Sequence, residues 1–360
     1  VETTELLDDV EKIRGTDPGN MYNRIFDFPE QMADALKIGQ MWEVNGDDFA
    51  GIKNIVVIGM GGSAIAGDLA RSLLASKLLI PFKVCRHYVL PEYVDDETLV
   101  IASSYSGNTE ETLAALDDAI ARKAMVAAMS TGGLLKDVAE LNAIPLAVLP
   151  TGFQPRAALG YSLVPLLVIF EKIGLIKNVS KEIKEIIDKL QIYREKYIED
   201  NPTLQNPAKN IAEKIHGKIP IIYSGPTLTD VVGVRWKGQI CENAKDLAFA
   251  NQFAEFNHNE LAGWSDAIRN HQERLIVILL RDSADHPQIR KRMNIVKELI
   301  EKQSVDVIEV HSRGELPLER MLSLIQIGDF VSYYLAILNE VDPTPVHVIE
   351  SLKNALKRAQ

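Results

Sequence analysis

Cysteine is nearly absent from this chain: Cys85 and Cys241 are the only two in 360 residues. Two thiols build neither a disulfide framework nor a thiolate metal cluster, and such scarcity fits a reducing, cytoplasmic setting. A basic excess is lacking too. Lys and Arg number 39 against 50 Asp and Glu, for a formal net charge of −11. Nucleic acid is therefore excluded as the main partner, because a phosphate backbone calls for a basic face. A small phosphate ester is not excluded, since one local dipole site outweighs a diffuse acidic surface. Long apolar runs are scarce: SLVPLLVIF at 162–170 is too short for a bilayer and contains Pro165. No membrane partner is expected. The opening VETTELLDDVEKIRG is acidic and amphipathic, unlike a signal or transit peptide. The seven histidines show neither H-E-x-x-H nor zinc spacing, so no metal is expected. Glu213-x-x-His216 and Glu255-x-x-His258 fit the E-x-x-H of di-iron bundles, but no four-helix pattern accompanies them.

What is present is the composition of a globular protein, 46% hydrophobic and 25% charged, long enough for two cores. Residues 1–50 read as a helical lead-in, with helices near Thr4–Arg14 and Pro29–Ile38 and no visible chemistry. From 51 to 152 the pattern is α/β. Strands at Asn54–Ile58, Phe82–Cys85, Leu99–Ala102, Met125–Met129 and Ile144–Leu149 alternate with helical stretches, one of them over Ile65–Leu79. Such alternation implies a parallel sheet with ligands at the carboxyl ends of its strands. Residues 153–217 read as a helical connection: Ala157–Ile173 is apolar nearly all round, and Lys181–Tyr197 is an amphipathic stretch suited to cross between domains. A second α/β domain follows at 218–312, with strands at Ile219–Tyr223, Leu275–Leu280 and Val305–Val310 and helices at Val231–Asn243 and Ile289–Lys302. Residues 313–360 read as closing helices. The turns SGNT at 106–109 and SGPT at 224–227 suggest a repeat of one fold, the second copy without its phosphate.

The informative stretch is LVIASSYSGNTEET at 99–112. A short apolar strand runs into Ser103, Ser104, Ser106, Gly107, Asn108 and Thr109, and a helix follows with Asn108 or Thr109 placed to cap it. Unpaired amides and the positive dipole end of a helix make an anion site, to which Ser104, Ser106 and Thr109 add hydroxyls. The plainer reading is an ordinary strand-to-helix turn with a polar cap. A second turn, GMGGSA at 59–64, brings Gly62 and Ser63 to the same sheet edge. It also fits a dinucleotide fingerprint. An NAD site expects a carboxylate after the next strand, and none lies between Asp68 and Glu92; Arg86 stands there to meet an NADP phosphate instead.

Four segments further on hold single polar residues in distinctive settings. Arg156 lies in GFQPRAALG, just before a buried helix, where the dipole disfavours a cation and a local partner is called for. Glu242 lies in the helical WKGQICENAK beside Ile240 and Cys241. Partial burial there raises a carboxyl pKa toward that of a useful base, although a solvated helix Glu is the commoner case. His258 sits in EFNHNE, read as a polar loop after a helix. Lys353 lies in VHVIESLKNALK after the Asp342-Pro343-Thr344-Pro345 turn, with Lys357 one turn on as its competitor.

Taken together, SSYSGNTEET, GMGGSAIAGD, FQPRAALGYS, CENAK and FNHNE resemble the bifunctional phosphoglucose/phosphomannose isomerase family of SIS (sugar isomerase) proteins, from about residue 20 to the C-terminus. The resemblance implies two SIS-type three-layer αβα units with parallel sheets, joined by helical connections. It implies isomerisation of glucose 6-phosphate and mannose 6-phosphate to fructose 6-phosphate through a cis-enediol, with no cofactor and no metal. By that likeness Gly62, Ser63, Ser104, Ser106 and Thr109 hold the phosphate. His258 and Lys353 open the sugar ring, Glu242 moves the proton between C2 and C1, and Arg156 stabilises the enediolate. Thr344 is a substrate residue that lets mannose phosphate be accepted. It also implies a homodimer in which His258 completes the neighbouring site. Two other classes stay open: a sugar-phosphate-sensing SIS regulatory module, which needs the phosphate turn but not Glu242, His258 and Lys353 together, and an NADP-dependent oxidoreductase.

Overall fold

The structure, a computed structural model, describes residues 3–359. The chain forms two compact units. One comprises Asp27–Gln191 with Gly314–Glu319; the other holds the remaining described residues. The division falls inside the helix Val179–Arg194.

In the unit containing residues 27–191, five strands are ordered β2-β1-β3-β4-β5, all parallel: β1 (Asn54–Ile58), β2 (Phe82–Cys85), β3 (Thr98–Ser103), β4 (Met125–Ser130) and β5 (Leu146–Val148). The central strands are apolar and buried along both faces, as a sheet covered on both sides requires. Val56, Ile58, Val100 and Ala102 pack on Ala115, Leu116, Leu135 and Ala139 of two helices, Glu110–Ala121 and Gly133–Leu141. On the opposite face Val57 meets the helix Gly61–Leu74 at Gly67, where an added Cβ would lie 2.9 Å from Val57 Cγ1. The helix Leu159–Lys172 is buried from Leu159 through Phe170. It packs against Phe28–Met41, and a Cβ at Gly39 would lie 2.9 Å from Val168 Cβ. Gly61–Leu74 starts four residues earlier than the pattern suggested, so most of the GMGGSA turn is already helix. The reason is that Gly61, at φ +49°, makes the chain reversal in a single residue.

The other unit carries a four-stranded parallel sheet in the order β7-β6-β8-β9: β6 (Ile219–Ser224), β7 (Phe249–Gln252), β8 (Leu275–Arg281) and β9 (Asp306–His311). Tyr223, Val277 and Leu279 pack on Ile289, Met293 and Val296 of the helix Pro287–Glu301. Ile222 faces the helix Thr229–Gln239 at Gly233. The edge strand β7, FANQ, has no residue fully buried and little β-forming composition, which is why periodicity misses it. The helix Pro317–Leu338 is long and apolar enough to cross a membrane, more so than the 162–170 run, yet it is wholly buried inside the fold. It also holds Glu319, Arg320 and Asp329, and it serves as a core helix.

In each sheet the first strand lies between the second and the third, so β6 corresponds to β1 and β8 to β3. The shared order bears out two copies of one fold and corrects only the pairing of the two turns. SGNT follows β3, whereas SGPT follows β6, so the two turns are not equivalent. The counterpart of 103–109 is 281–286, RDSADH, where the buried Asp282 and Asp285 stand in place of hydroxyls. Arg320 pairs with Asp282 at 3.0 Å, and the Asp282 N–H donates to Asp285 at 3.0 Å.

Candidate active site

Because Ile58 pairs with Ala102, strands β1 and β3 end side by side, and their turns touch. A Cβ at Gly59 would lie 2.8 Å from the Ser103 carbonyl oxygen, and the Tyr105 N–H donates to Ser63 Oγ at 3.0 Å. Two helix N-termini, of Gly61–Leu74 and Glu110–Ala121, therefore open at one edge, each presenting unpaired amides and a positive dipole end. Neither has a side-chain cap. Thr109 occupies the cap position of the second, but its hydroxyl accepts from Ser104 Oγ at 3.0 Å rather than from a backbone amide. This corrects the expected Thr109 cap and leaves the helix amides for a ligand. Ser63 and Ser104 are buried, Thr109 is half-buried, and Ser106 is exposed, its Oγ accepting from the Asn108 N–H at 3.3 Å.

The serine turn is braced from behind. At Gly107, φ +70°, an added Cβ would fall 1.7 Å from the Gly132 carbonyl oxygen, so only glycine fits. Tyr105 is a residue that sequence reasoning passed over. Its hydroxyl donates to the Pro150 carbonyl at 2.7 Å and accepts from the Phe153 N–H at 3.1 Å, so the serine turn also ties down the chain leading to Arg156. Arg156 itself is buried in a short 3₁₀ turn, Pro155–Ala157. A Cβ at Gly62 would lie 2.7 Å from the Pro155 carbonyl, so that turn rests on the first helix N-terminus. Within this unit Gly62, Ser63, Ser104, Ser106, Thr109 and Arg156 are thus brought together.

Arg86 is ion-paired with Asp68. The one cation proposed for an NADP phosphate is therefore already neutralised, which weighs against the dinucleotide reading.

The other unit carries Glu242, His258, Thr344 and Lys353. Glu242 lies in a π-helical turn, Ile240–Ala244, that closes the helix Thr229–Gln239; no sequence signal announced it. Such turns recur at functional sites because they re-aim one side chain. Glu242 is half-buried. Its carrier helix is locked to Pro317–Leu338: Arg235 pairs with Asp329 at 2.7 Å, Gln239 donates to Asp329 at 2.8 Å, and Trp236 Nε1 donates to the Leu324 carbonyl at 2.9 Å. Burial pushes the Asp329 carboxyl up, and Arg235 opposes that shift. Past the π turn, Lys245 Nζ donates to the Glu242 carbonyl at 2.5 Å and to the Pro343 carbonyl at 3.1 Å. Glu242 and the turn holding Thr344 are thereby joined.

His258 is exposed on a 3₁₀ segment, Glu255–His258, that follows β7 and not a helix, which corrects the expected context. Its side chain makes no hydrogen bond or ion pair among the described residues. The segment is anchored by Tyr223, which stacks on Phe256 at 4.2 Å and donates to Glu260. Lys353 is exposed on the helix His347–Ala359, which also exposes Val348, Leu352 and Leu356. The side chain of Lys357 lies outside the described residues. Glu213 of the first E-x-x-H accepts from the Thr3 hydroxyl at 2.8 Å and also from that of Thr4, a role within the fold. Among the described residues no group of three or more His, Cys, Asp or Glu is arranged to hold a metal ion.

Residues 48–140 match the family model of the SIS domain, and residues 204–356 match the bacterial phospho-glucose isomerase C-terminal SIS domain. The chain is 46% identical over 338 residues to the bifunctional phosphoglucose/phosphomannose isomerase of Caldicellulosiruptor bescii, covering 93% of this chain and 98% of that one. It is 37% identical to that of Aquifex aeolicus over 319 residues, 88% and 94% of the two chains. The fold is also similar to the crystal structure of hypothetical protein TT0462 from Thermus thermophilus, with a TM-score of 0.75, 16% identity, and 97% and 93% coverage. With the two parallel αβα sheets, the hydroxyl-lined helix N-termini and this similarity along nearly its whole length, the chain belongs to the bifunctional phosphoglucose/phosphomannose isomerase family.

Proposed function

We propose that this protein interconverts glucose 6-phosphate and mannose 6-phosphate with fructose 6-phosphate. The observation that carries the reading is the pair of uncapped helix N-termini, ringed by Ser63, Ser104, Ser106 and Thr109, with Arg156 buried on the adjoining turn. A dianionic phosphate suits two dipole ends and several hydroxyl donors, with Gly62 leaving room for the backbone. His258 and Lys353 move protons between the ring oxygen and O1 to open the ring. Glu242 then takes the C2 proton and returns it at C1, or the reverse, through a cis-enediol. Arg156 stabilises the negative oxygen of that intermediate. Glucose and mannose phosphates differ only at C2, so one base serves both when rotation about C2–C3 presents either face. Thr344, whose hydroxyl oxygen is buried against Gly19, shapes the turn that admits the mannose epimer.

The working form is a homodimer in which His258 completes the neighbouring site. Two features support this: His258 is exposed and has no side-chain partner among the described residues, and the helix carrying Lys353 exposes an apolar stripe. The protein works in the cytoplasm, as its two unpaired cysteines suit. One experiment tests the reading: adding fructose 6-phosphate to chelator-treated protein and following formation of both aldose phosphates. We expect both to form at the untreated rate. Binding without turnover would make the protein a sensor, and turnover only with NADP would make it an oxidoreductase.

A further inference from the structure

The helix Phe28–Met41 belongs to the lead-in segment that carries no chemical motif, yet one of its side chains reaches the turn that holds Arg156. Gln31 is buried. Its Nε2 donates to the Ala157 carbonyl at 2.8 Å, and its Oε1 accepts from the Gly160 N–H at 2.6 Å. The two partners have opposite needs: a carbonyl wants a donor, an N–H wants an acceptor. A carboxamide, with one of each on a single plane and no charge to bury, meets both. The bonds also supply something that the chain omits locally. The helix Leu159–Lys172 has Ala158 at its cap position and no side-chain cap, and Gly160 is among its first amides. Gln31 thus caps that helix from 129 residues away in sequence. Gly160 lacks a side chain where Gln31 sits, since an added Cβ would lie 2.8 Å from Gln31 Oε1.

Arg156 immediately precedes this helix, where the dipole works against a cation. Its turn is pressed on one side by the Gly62 backbone, and Gln31 fixes the peptide groups that follow it. Asp34, one turn further along the same helix, accepts from the Tyr161 hydroxyl at 3.2 Å and adds a second tether. We infer that Gln31 is a positioning residue for Arg156: it sets the guanidinium for the anion that develops at the reacting end of the sugar, and takes no part in holding the phosphate. This rests on the proposed role of Arg156, and the test separates the two.

The test compares two ligands by calorimetry. One is a five-carbon hydroxamate with a terminal phosphate, planar and anionic like an enediolate. The other is a hexitol 6-phosphate, which carries the phosphate but no anion at the reacting end. Gln31→Leu keeps the bulk and removes both hydrogen bonds; Gln31→Glu, assayed at a pH at which its carboxyl is ionised, keeps the acceptor and loses the donor. For both variants we expect hydroxamate affinity and kcat to fall roughly 10–100-fold, as misplacement of a preorganised cation implies, with hexitol phosphate affinity within about threefold of wild type. Gln31→Glu guards against a Leu variant that does not fold. Arg156→Lys is the control and must itself lose hydroxamate affinity. If it does and both Gln31 variants bind the hydroxamate like wild type, the inference is overturned while the role of Arg156 stands. An equal loss for both ligands would also overturn it, by making Gln31 a purely structural clamp. If Arg156→Lys binds the hydroxamate normally, the role of Arg156 fails first and the inference falls with it.

Discussion

The Ser104 hydroxyl donates to the Thr109 hydroxyl at 3.0 Å, across the mouth of the turn that ends β3. Each hydroxyl is thereby oriented before any ligand arrives, and Thr109 is diverted from the helix cap it occupies. On the proposed reading, a phosphate docking there would meet a Thr109 hydroxyl already aimed, which lowers the ordering cost of binding.

The first prediction concerns this turn. Hydrogen bonds to a charged group are worth about 1.5–3 kcal/mol each. Ser106→Ala with Thr109→Val should therefore raise KM for fructose 6-phosphate by roughly 10²-fold or more, with kcat little changed, because the phosphate is bound alike in ground and transition states. Steady-state kinetics checks this. Free fructose should be a very poor substrate, and equal turnover of fructose and its 6-phosphate would sink the assignment.

A second prediction concerns the base. Glu242 is half-buried on a π turn braced by Asp329 and Lys245. Glu242→Gln keeps the shape and removes the basicity. We expect kcat lower by roughly 10²–10⁴ for both epimers, with KM nearly unchanged. The variant should still open the ring of bound substrate, yet no longer exchange the C2 proton of glucose 6-phosphate with deuterated water. Persistent exchange would put the base elsewhere, and loss for one epimer alone would demand two bases.

Subunit exchange supplies a third. Inactive Glu242→Gln and His258→Ala chains, mixed and re-associated, should recover some activity, because a hybrid dimer contains one site with both native groups. Native mass spectrometry would establish that hybrids formed. Hybrids without activity would assign His258 to its own chain's site or to no chemical step.

The fourth prediction concerns stability and pH. Lys209 is fully buried, and its Nζ donates to the Glu199 carbonyl at 2.6 Å and the Asn201 carbonyl at 2.8 Å. Burial pushes its pKa down to about 8. An unfolded lysine titrates near 10.4, so between those values the unfolded chain binds more protons and stability rises with pH; below pH 8 the full cost of the buried charge remains. Lys209→Met removes this titration and leaves two carbonyls unpaired. Urea unfolding should show the variant less stable than wild type, by a margin that widens by roughly 1–2 kcal/mol from pH 7 to pH 9.5. A margin independent of pH would show that Lys209 does not titrate in that range.

Much was legible in the sequence wherever the deciding contacts are near neighbours along the chain. NIVVI and LVIA read as buried strands because apolar, partly β-branched runs suit a sheet covered on both faces. The serine turn read as an anion site because its hydroxyls and its helix start are contiguous. The same contiguity misled at Thr109, whose composition marks a cap but whose hydroxyl was taken by Ser104 once the turn closed. It misled again at SGPT, which resembles SGNT in letters and follows a different strand in the sheet order. Only the tertiary structure showed that Arg86 belongs to Asp68, that the Glu242 helix ends in a π turn braced by Asp329, and that Gln31 reaches Ala157 and Gly160. Those partners lie from 18 to 129 residues apart. Neither propensity nor hydrophobic period carries information about such pairs. They are set when helices pack on the sheets, and a buried amide or carboxylate must then find its partner in whatever backbone the packing has brought beside it.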